Sequence, residues 1–178
     1  HNPKYAQMAV KAYLQRAAFD KNTTVEIGGI GATPSSDAAA LLDDDLTTYF
    51  EAEVGSENSV EAVVDCSAGR IVAYTLVSSG VVEQGDNGVE ALYDPVSWKV
   101  YGSDDGASWN EVDSRSEVAF IARFQKHIYY LAAPADYAKY KFVFKANGGD
   151  KLTLSDILFH TEDPYAAWKN FESPEILF

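Results

Sequence analysis

The chain predicts an all-β fold, an antiparallel sandwich, on three observations. Short runs of residues alternate apolar and polar with a period of two, the mark of strands with one buried face. Gly, Asp, Asn and Ser cluster between those runs, where turns need them. No internal repeat and no strand–helix alternation is present, which argues against a parallel sheet. A hydrophobic share of 47%, with 13% aromatic residues over 178 positions, is enough for a sizeable core.

Taken in order, Asn2-Pro3 is a helix start, a capping side chain followed by Pro in the first turn. Residues 3–19 have a helical composition, with Tyr5, Met8, Ala9, Ala12, Leu14 and Ala17 among polar neighbours. Thr23 to Ile27 reads as a strand. Gly28-Gly29-Ile30-Gly31 reads as a loop, because no βαβ unit surrounds it to make a nucleotide fingerprint. Val60 to Asp65 and Arg70 to Val77 read as a strand pair around a Ser67-Ala68-Gly69 turn. An acidic, Gly-bearing loop runs from Gly80 to Trp98 and is long enough to be functional or mobile.

Trp98 to Trp109 (WKVYGSDDGASW) is the most informative dozen. Trp98, Val100 and Gly102 alternate with Lys99 and Tyr101, Ser103-Asp104-Asp105-Gly106 supplies a tight turn, and Trp109 restarts a strand. Ile128 to Leu131 is a further strand. Tyr140, Phe142 and Phe144 form an aromatic inner face, with Lys139, Lys141 and Lys145 outward. Asn147-Gly148-Gly149-Asp150 turns the chain, and Leu152, Leu154 and Ile157-Leu158 begin the last strand. Asp163-Pro164 opens a cap-like segment that Tyr165, Trp168 and Phe171 would anchor. In all this makes about eight strands, within the usual range for a sandwich.

Composition narrows the function. The formal charge, 14 basic against 27 acidic residues, is −13, which disfavours a nucleic-acid duplex or an anionic membrane surface. No apolar run reaches the roughly eighteen residues that cross a bilayer, so no membrane insertion is expected. The single cysteine, Cys66, permits no internal disulfide and reads as a small buried apolar residue. His1, His127 and His160 are scattered, and no nucleophile or metal motif of His and Cys occurs, so catalysis is not expected. Asp43-Asp44-Asp45 with Thr48 is different. Consecutive carboxylates repel one another unless solvated or shared by a cation, and hard oxygens at a sharp loop suit calcium.

The stretch DPVSWKVYGSDDGASWNEVDSRS is similar to the signature of the discoidin domain, the coagulation factor five/eight type C domain. Asp94, Pro95, Trp98, Tyr101, Gly102, Ser103, Asp105, Gly106, Trp109, Asp113, Ser114 and Arg115 carry the resemblance, which is nearest to the family 32 carbohydrate-binding modules of bacterial glycosidases. It implies a jelly roll of the galactose-binding type over residues 26–162, with residues 1–25 a helix or linker and 163–178 a tail. It implies a secreted, cell-surface or periplasmic bacterial module, non-catalytic, with adjacent domains in a larger polypeptide. The ligand would be a glycan ending in a neutral sugar such as galactose, held by loops at one end of the sandwich.

Glu90, Tyr93, Arg123 and Asn147 are the sugar candidates; Leu92-Tyr93 stands where relatives often carry Glu-Arg. The resemblance also implies a structural calcium. Asp43 and Asp156 would give side-chain oxygens, Ala40 and Asp45 carbonyls, and Thr48 a carbonyl and its hydroxyl. Two positions depart from the pattern: Asp44 replaces a Gly, and Asp156 a commoner Glu. A structural or protein-interaction domain of the same fold that has lost the sugar site is the alternative. Lipid-headgroup binding is disfavoured by the charge and by the lack of an obvious pair of exposed apolar residues on a loop.

Overall fold

The computed structural model describes residues 25–28, 33–34, 37–84 and 90–165. The expected helix over residues 3–19 and the anchors Trp168 and Phe171 lie outside them. The strands are β1 Val25–Gly28, β2 Thr33–Pro34, β3 Phe50–Glu53, β4 Ser59–Asp65, β5 Arg70–Val77, β6 Glu83–Gln84 and β7 Glu90–Ala91. They continue with β8 Ser97–Ser103, β9 Asn110–Arg115, β10 Lys126–Asp136, β11 Lys139–Lys145, β12 Lys151–Leu154 and β13 Asp156–His160. A 3-10 turn at Ala38–Leu42 precedes β3, and Asp37 caps it through the Ala39 N–H at 2.9 Å.

Among the described residues every strand pairing is antiparallel. A five-stranded sheet runs β1-β4-β11-β8-β9, and facing it is a three-stranded sheet β10-β5-β13. A second three-stranded sheet, β12-β3-β2, and the small β6-β7 hairpin complete the structure. The layers meet through aromatic rings. Trp98 of β8 meets Tyr129 of β10 edge-on at 5.0 Å, and Phe142 of β11 meets Tyr74 of β5 at 5.4 Å. Tyr140 lies 5.2 Å from Phe159 of β13. Such pairs add about 0.5–1.5 kcal/mol beyond the area they bury. The predicted inner face of β11 is borne out: Tyr140, Phe142 and Phe144 are buried, and Lys139, Lys141, Val143 and Lys145 half-buried on the outside.

Beneath Trp98 the core carries a polar chain. The Trp98 indole N–H donates to the Tyr74 hydroxyl at 2.7 Å, and that hydroxyl donates to Asp113 Oδ2 at 2.6 Å. Arg115 Nε donates to the same oxygen at 2.9 Å, while its guanidinium lies over the Tyr129 ring. Burial first, then the bond to Asp113, pushes the Tyr74 phenol up. Asp113 and Arg115, which carried part of the resemblance, thus tie an edge strand to the core.

Three expectations need correction. β4 and β5 do not pair with each other. β4 lies between β1 and β11, and β5 between β10 and β13, so the turn at 66–69 carries the chain from one sheet to the other. Cys66 N–H bonds Ala138 O at 2.8 Å, and Gly69 takes φ +80° to make the crossing. Alternation tells which face of a strand is buried, not which strand lies beside it.

Likewise the last predicted strand is two. Ser155 separates β12 and β13, which belong to different sheets, and its N–H bonds Val77 O at 2.8 Å. Finally, β8 and β9 form the expected hairpin, but residues 104–109 make a wider loop and Trp109 precedes β9. The cause is Asp105. Its Oδ1 gathers the N–H groups of Ala107 and Ser108, each at 2.8 Å, with Gly106 at φ +75°, which rounds the loop instead of closing it.

The long Gly80–Trp98 segment is not structureless either, since β6 and β7 pair within it. In β10 the ladder to β5 slips between Tyr130 and Ala135, where Pro134 has no N–H to give. Among the described residues no helix is long and apolar enough to cross a membrane.

Candidate functional site

The loops around residues 78–84, 90–97, 120–125 and 146–151 are stitched to one another, and they contain all four sugar candidates. Asn147 donates through Nδ2 to Leu92 O, and its Oδ1 accepts from the Gly149 N–H at 3.2 Å. Gly149 lies against the Tyr93 ring: a Cβ there would sit 3.3 Å from Tyr93 Cε1, a tight contact that the ring would have to ease by a few tenths of an ångström. Tyr93 O accepts from the Thr153 N–H at 2.9 Å.

Tyr93 is also fixed from above. Its hydroxyl donates to Glu83 Oε2 at 2.7 Å, and Lys151 Nζ lies 4.7 Å from the ring centre. Lys151 bonds Glu83 Oε1 at 2.6 Å and pairs with Glu51 at 3.5 Å. The bond from Lys151, then that from Tyr93, holds the Glu83 carboxyl below its ordinary range. The bond to Glu83 raises Tyr93 and Lys151 in turn.

Arg123 grips Asp94 with both arms, Nη1 to Oδ1 at 2.9 Å and Nη2 to Oδ2 at 2.5 Å, and gives Nη1 also to Ser79 O at 3.0 Å. The Asp94 side chain is only 7% exposed, so the pair is largely removed from water. Arg123 and Asp94 therefore join two loops of the rim. Glu90 is placed by its backbone in β7, opposite Gln84.

Sequence reasoning missed the neighbours of Arg123. Ile121 is 87% exposed and Phe124 45% exposed, on the same loop. This corrects the expectation that no exposed apolar pair stands on a loop. Phe124 has φ +57°, and its ring covers Gly80 so closely that a Cβ there would lie 2.3 Å from Cζ. The only signal in the sequence was an apolar pair flanking Ala122-Arg123 without strand alternation, and that pattern reads equally as core.

The second candidate site is the loop after the 3-10 turn. Thr48 Oγ1 donates to Asp43 Oδ2 and lies 3.0 Å from Asp45 O. Asp43 Oδ1 accepts from the Asp45 N–H at 3.0 Å, and Asp45 Oδ1 from the Thr47 hydroxyl at 2.6 Å, which lowers the Asp45 pKa. Ala40, Asp43 and Thr48 border one surface depression. Asp44, standing where the family pattern has Gly, takes φ +61°, the left-handed region that Gly enters at no cost.

Asp156 is buried in β13, which packs on the 3-10 turn, and its Oδ1 accepts from the Ile157 N–H at 3.1 Å. Among the described residues no group of three or more His, Cys, Asp and Glu side chains is arranged to hold a metal. The donor set of Asp43, Thr48 and the Asp45 carbonyl is one carboxylate, one hydroxyl and one carbonyl, oxygen chemistry that suits calcium and not zinc.

No protein-family profile and no curated protein matches this chain. Solved structures do. CpGH89CBM32-6 from Clostridium perfringens is similar at a TM-score of 0.56 and 18% identity, over 83% of this chain and all of that one. CpGH89CBM32-5 from the same organism, in complex with GalNAc-β-1,3-galactose, gives 0.57 and 9% over 78% of this chain and 95% of its own. The family 32 module of C. perfringens NanJ, in complex with galactose, gives 0.57 and 8% over 77% and 92%. At these identities the likeness is one of fold: the chain has the β-sandwich of the family 32 carbohydrate-binding modules.

Proposed function

We propose that this chain is a non-catalytic carbohydrate-binding module of a secreted or cell-surface bacterial protein, joined to a glycosidase or adhesin. Its ligand is a glycan ending in galactose or a related neutral sugar. The observation that supports this most is the rim of cross-linked loops with an exposed Phe124 ring at its edge. A sugar's C–H face stacks on such a ring, while Asn147, Tyr93 and Glu90 supply groups for its hydroxyls. Binding of this kind is weak per site and works by raising the local concentration of an attached enzyme on its substrate.

Calcium is proposed at the Asp43–Thr48 loop, with Asp43 and Asp156 as carboxylates, Ala40 and Asp45 as carbonyls, and Thr48 adding its hydroxyl. Its part is structural, pinning the loop against β13. Melting curves in chelator and in millimolar calcium test it, with Asp43→Asn as control. A calcium-dependent rise that the variant loses is expected; equal curves would remove the ion.

Titration with galactose, followed by heteronuclear NMR, tests the module itself. Shifts at Asn147 and Phe124 at millimolar sugar, lost in Phe124→Ala, are the expected result. An interaction domain without sugar binding is the second reading. It is favoured by the engagement of Tyr93, Asn147 and Arg123 with groups of the same chain and by the exposure of Ile121. Absence of shifts with any neutral monosaccharide would turn the assignment that way.

A further inference from the structure

On the solvent face of the five-stranded sheet, adjoining the rim at Ser97 and Lys145, lies a groove of about 250 Å³ between β8, β9 and β11. Its lining is chemically one-sided. Lys99, Arg115 and Lys145 bring cations, and Ser97, Ser114 and Tyr101 bring hydroxyls, while no carboxylate contributes to the wall. Val143 and the Tyr101 ring give it an apolar floor. Such a wall is unexpected on a chain of net charge −13. The strand register explains how it arises: Ser97 stands opposite Lys145 and Lys99 opposite Val143, so the outward residues of β8 and β11 share one face.

The charges here are incompletely balanced. Arg115 is fixed by Asp113 and by Tyr130 O at 2.7 Å, which uses two of the five N–H groups a guanidinium carries. Lys145 Nζ bonds a neutral carbonyl, Glu57 O, at 3.0 Å. Lys99 pairs with Glu111 at 3.3 Å, but both side chains are about half exposed, 56% and 48%, and such a pair is weak and exchangeable. Next to the groove, Lys141 lies over the Tyr101 ring at 5.4 Å and the Trp109 ring at 4.5 Å, adding a fourth cation to the same face.

We infer that this groove on the outer face of the five-stranded sheet is a ligand site for a single anionic sugar, a hexuronate or a sulfated hexose. The size argues for one pyranose residue, since sites for larger small molecules run upward from about 300 Å³. The apolar floor suits the ring's C–H face, the hydroxyls its neutral substituents, and Lys99 and Lys145 the acid group. The site adjoins the rim at Ser97 but uses none of Tyr93, Arg123, Phe124 and Asn147.

The test is NMR titration of the full chain with galacturonate, galactose 6-sulfate, galactose and inorganic sulfate in parallel. Expected are shifts of the Lys99, Ser114 and Val143 amides with one or both acidic sugars at millimolar concentration, weakening as salt rises, and none of them with galactose. Carboxylate and sulfate arms separate the two sources of charge. Lys99→Gln and Lys145→Gln should each weaken the effect about three- to fivefold, the worth of one exposed charge contact. Lys99 is exposed and Lys145 gives up one surface bond to Glu57 O, so the melting temperature should fall only slightly and any rim shifts with galactose should remain. Equal shifts with inorganic sulfate, shifts that survive in both variants, or no shifts at this face would overturn the proposal, whatever galactose does at the rim.

Discussion

Replacing Arg123 by alanine separates two roles that the residue could play at the rim. As a sugar ligand it would cost affinity and leave stability alone. As the partner of Asp94 it should do the reverse first. The Asp94 carboxylate is 7% exposed and takes both guanidinium arms, at 2.9 and 2.5 Å, while Ser79 O takes a third bond at 3.0 Å. Removing one member of a buried pair costs about 3–5 kcal/mol, because the remaining charge is stranded. Arg123 itself is 19% exposed, so water can reach the vacated space, and a loss near the lower end, about 3 kcal/mol, is expected. For a domain of this size that is a fall in melting temperature of roughly 6–12 °C. Arg123→Lys, which keeps charge but not the paired geometry, should fall between. Chemical denaturation of the three proteins beside galactose titration is the assay. An alanine variant with unchanged stability and abolished binding would refute the structural assignment and return Arg123 to the sugar.

Other outcomes follow from the same geometry. Tyr74→Phe leaves the Trp98 indole N–H and Asp113 without the hydroxyl that joins them, and should cost about 1–3 kcal/mol by denaturation; a neutral effect would mean the chain of bonds contributes little. Asp44→Gly relieves a left-handed φ of +61° and should raise the melting temperature slightly, by the equivalent of up to about 1 kcal/mol. A fall would show that the Asp44 side chain is needed. Glu83, its carboxyl depressed by Lys151 and Tyr93, favours the folded clamp fully above its ordinary value of 4.5 and loses that contribution as pH falls through the lowered value. Tyrosine near-ultraviolet dichroism should therefore change below about pH 4.5 in the native chain and not in Glu83→Gln.

The parts of the fold that rest on alternation were legible. The aromatic face of β11 and the Trp98 strand needed only the side-chain period and the turn residues around them. Strand partners were not legible, because β4 and β5 offer the same apolar pattern whether they pair or face each other across the core. The rim was half legible. Tyr93, Arg123 and Asn147 do converge, yet nothing in their spacing reveals that Asp94, Glu83 and the Leu92 carbonyl already occupy their polar atoms. Phe124 was invisible for a related reason. Its exposure goes with a positive φ that no Gly or Asn marks in the sequence and with Gly80, distant in the chain, beneath its ring.

That prior engagement bears on how strongly the rim can bind. A sugar hydroxyl that reaches Tyr93 or Asn147 must replace a bond that each already makes, to Glu83 Oε2 and to Leu92 O. Exchange of one hydrogen bond for another yields little net free energy, as in folding itself. What remains is burial of the sugar's C–H face on Phe124, which needs no internal contact to break. Stacking of that kind contributes about 0.5–1.5 kcal/mol, and a dissociation constant of 1 mM already requires about 4 kcal/mol. A single rim binding sugar as proposed would therefore have a dissociation constant near or above the millimolar range. Useful retention on a surface then depends on linkage to other modules, or on a second sugar held at the same time by the cationic groove of the outer sheet.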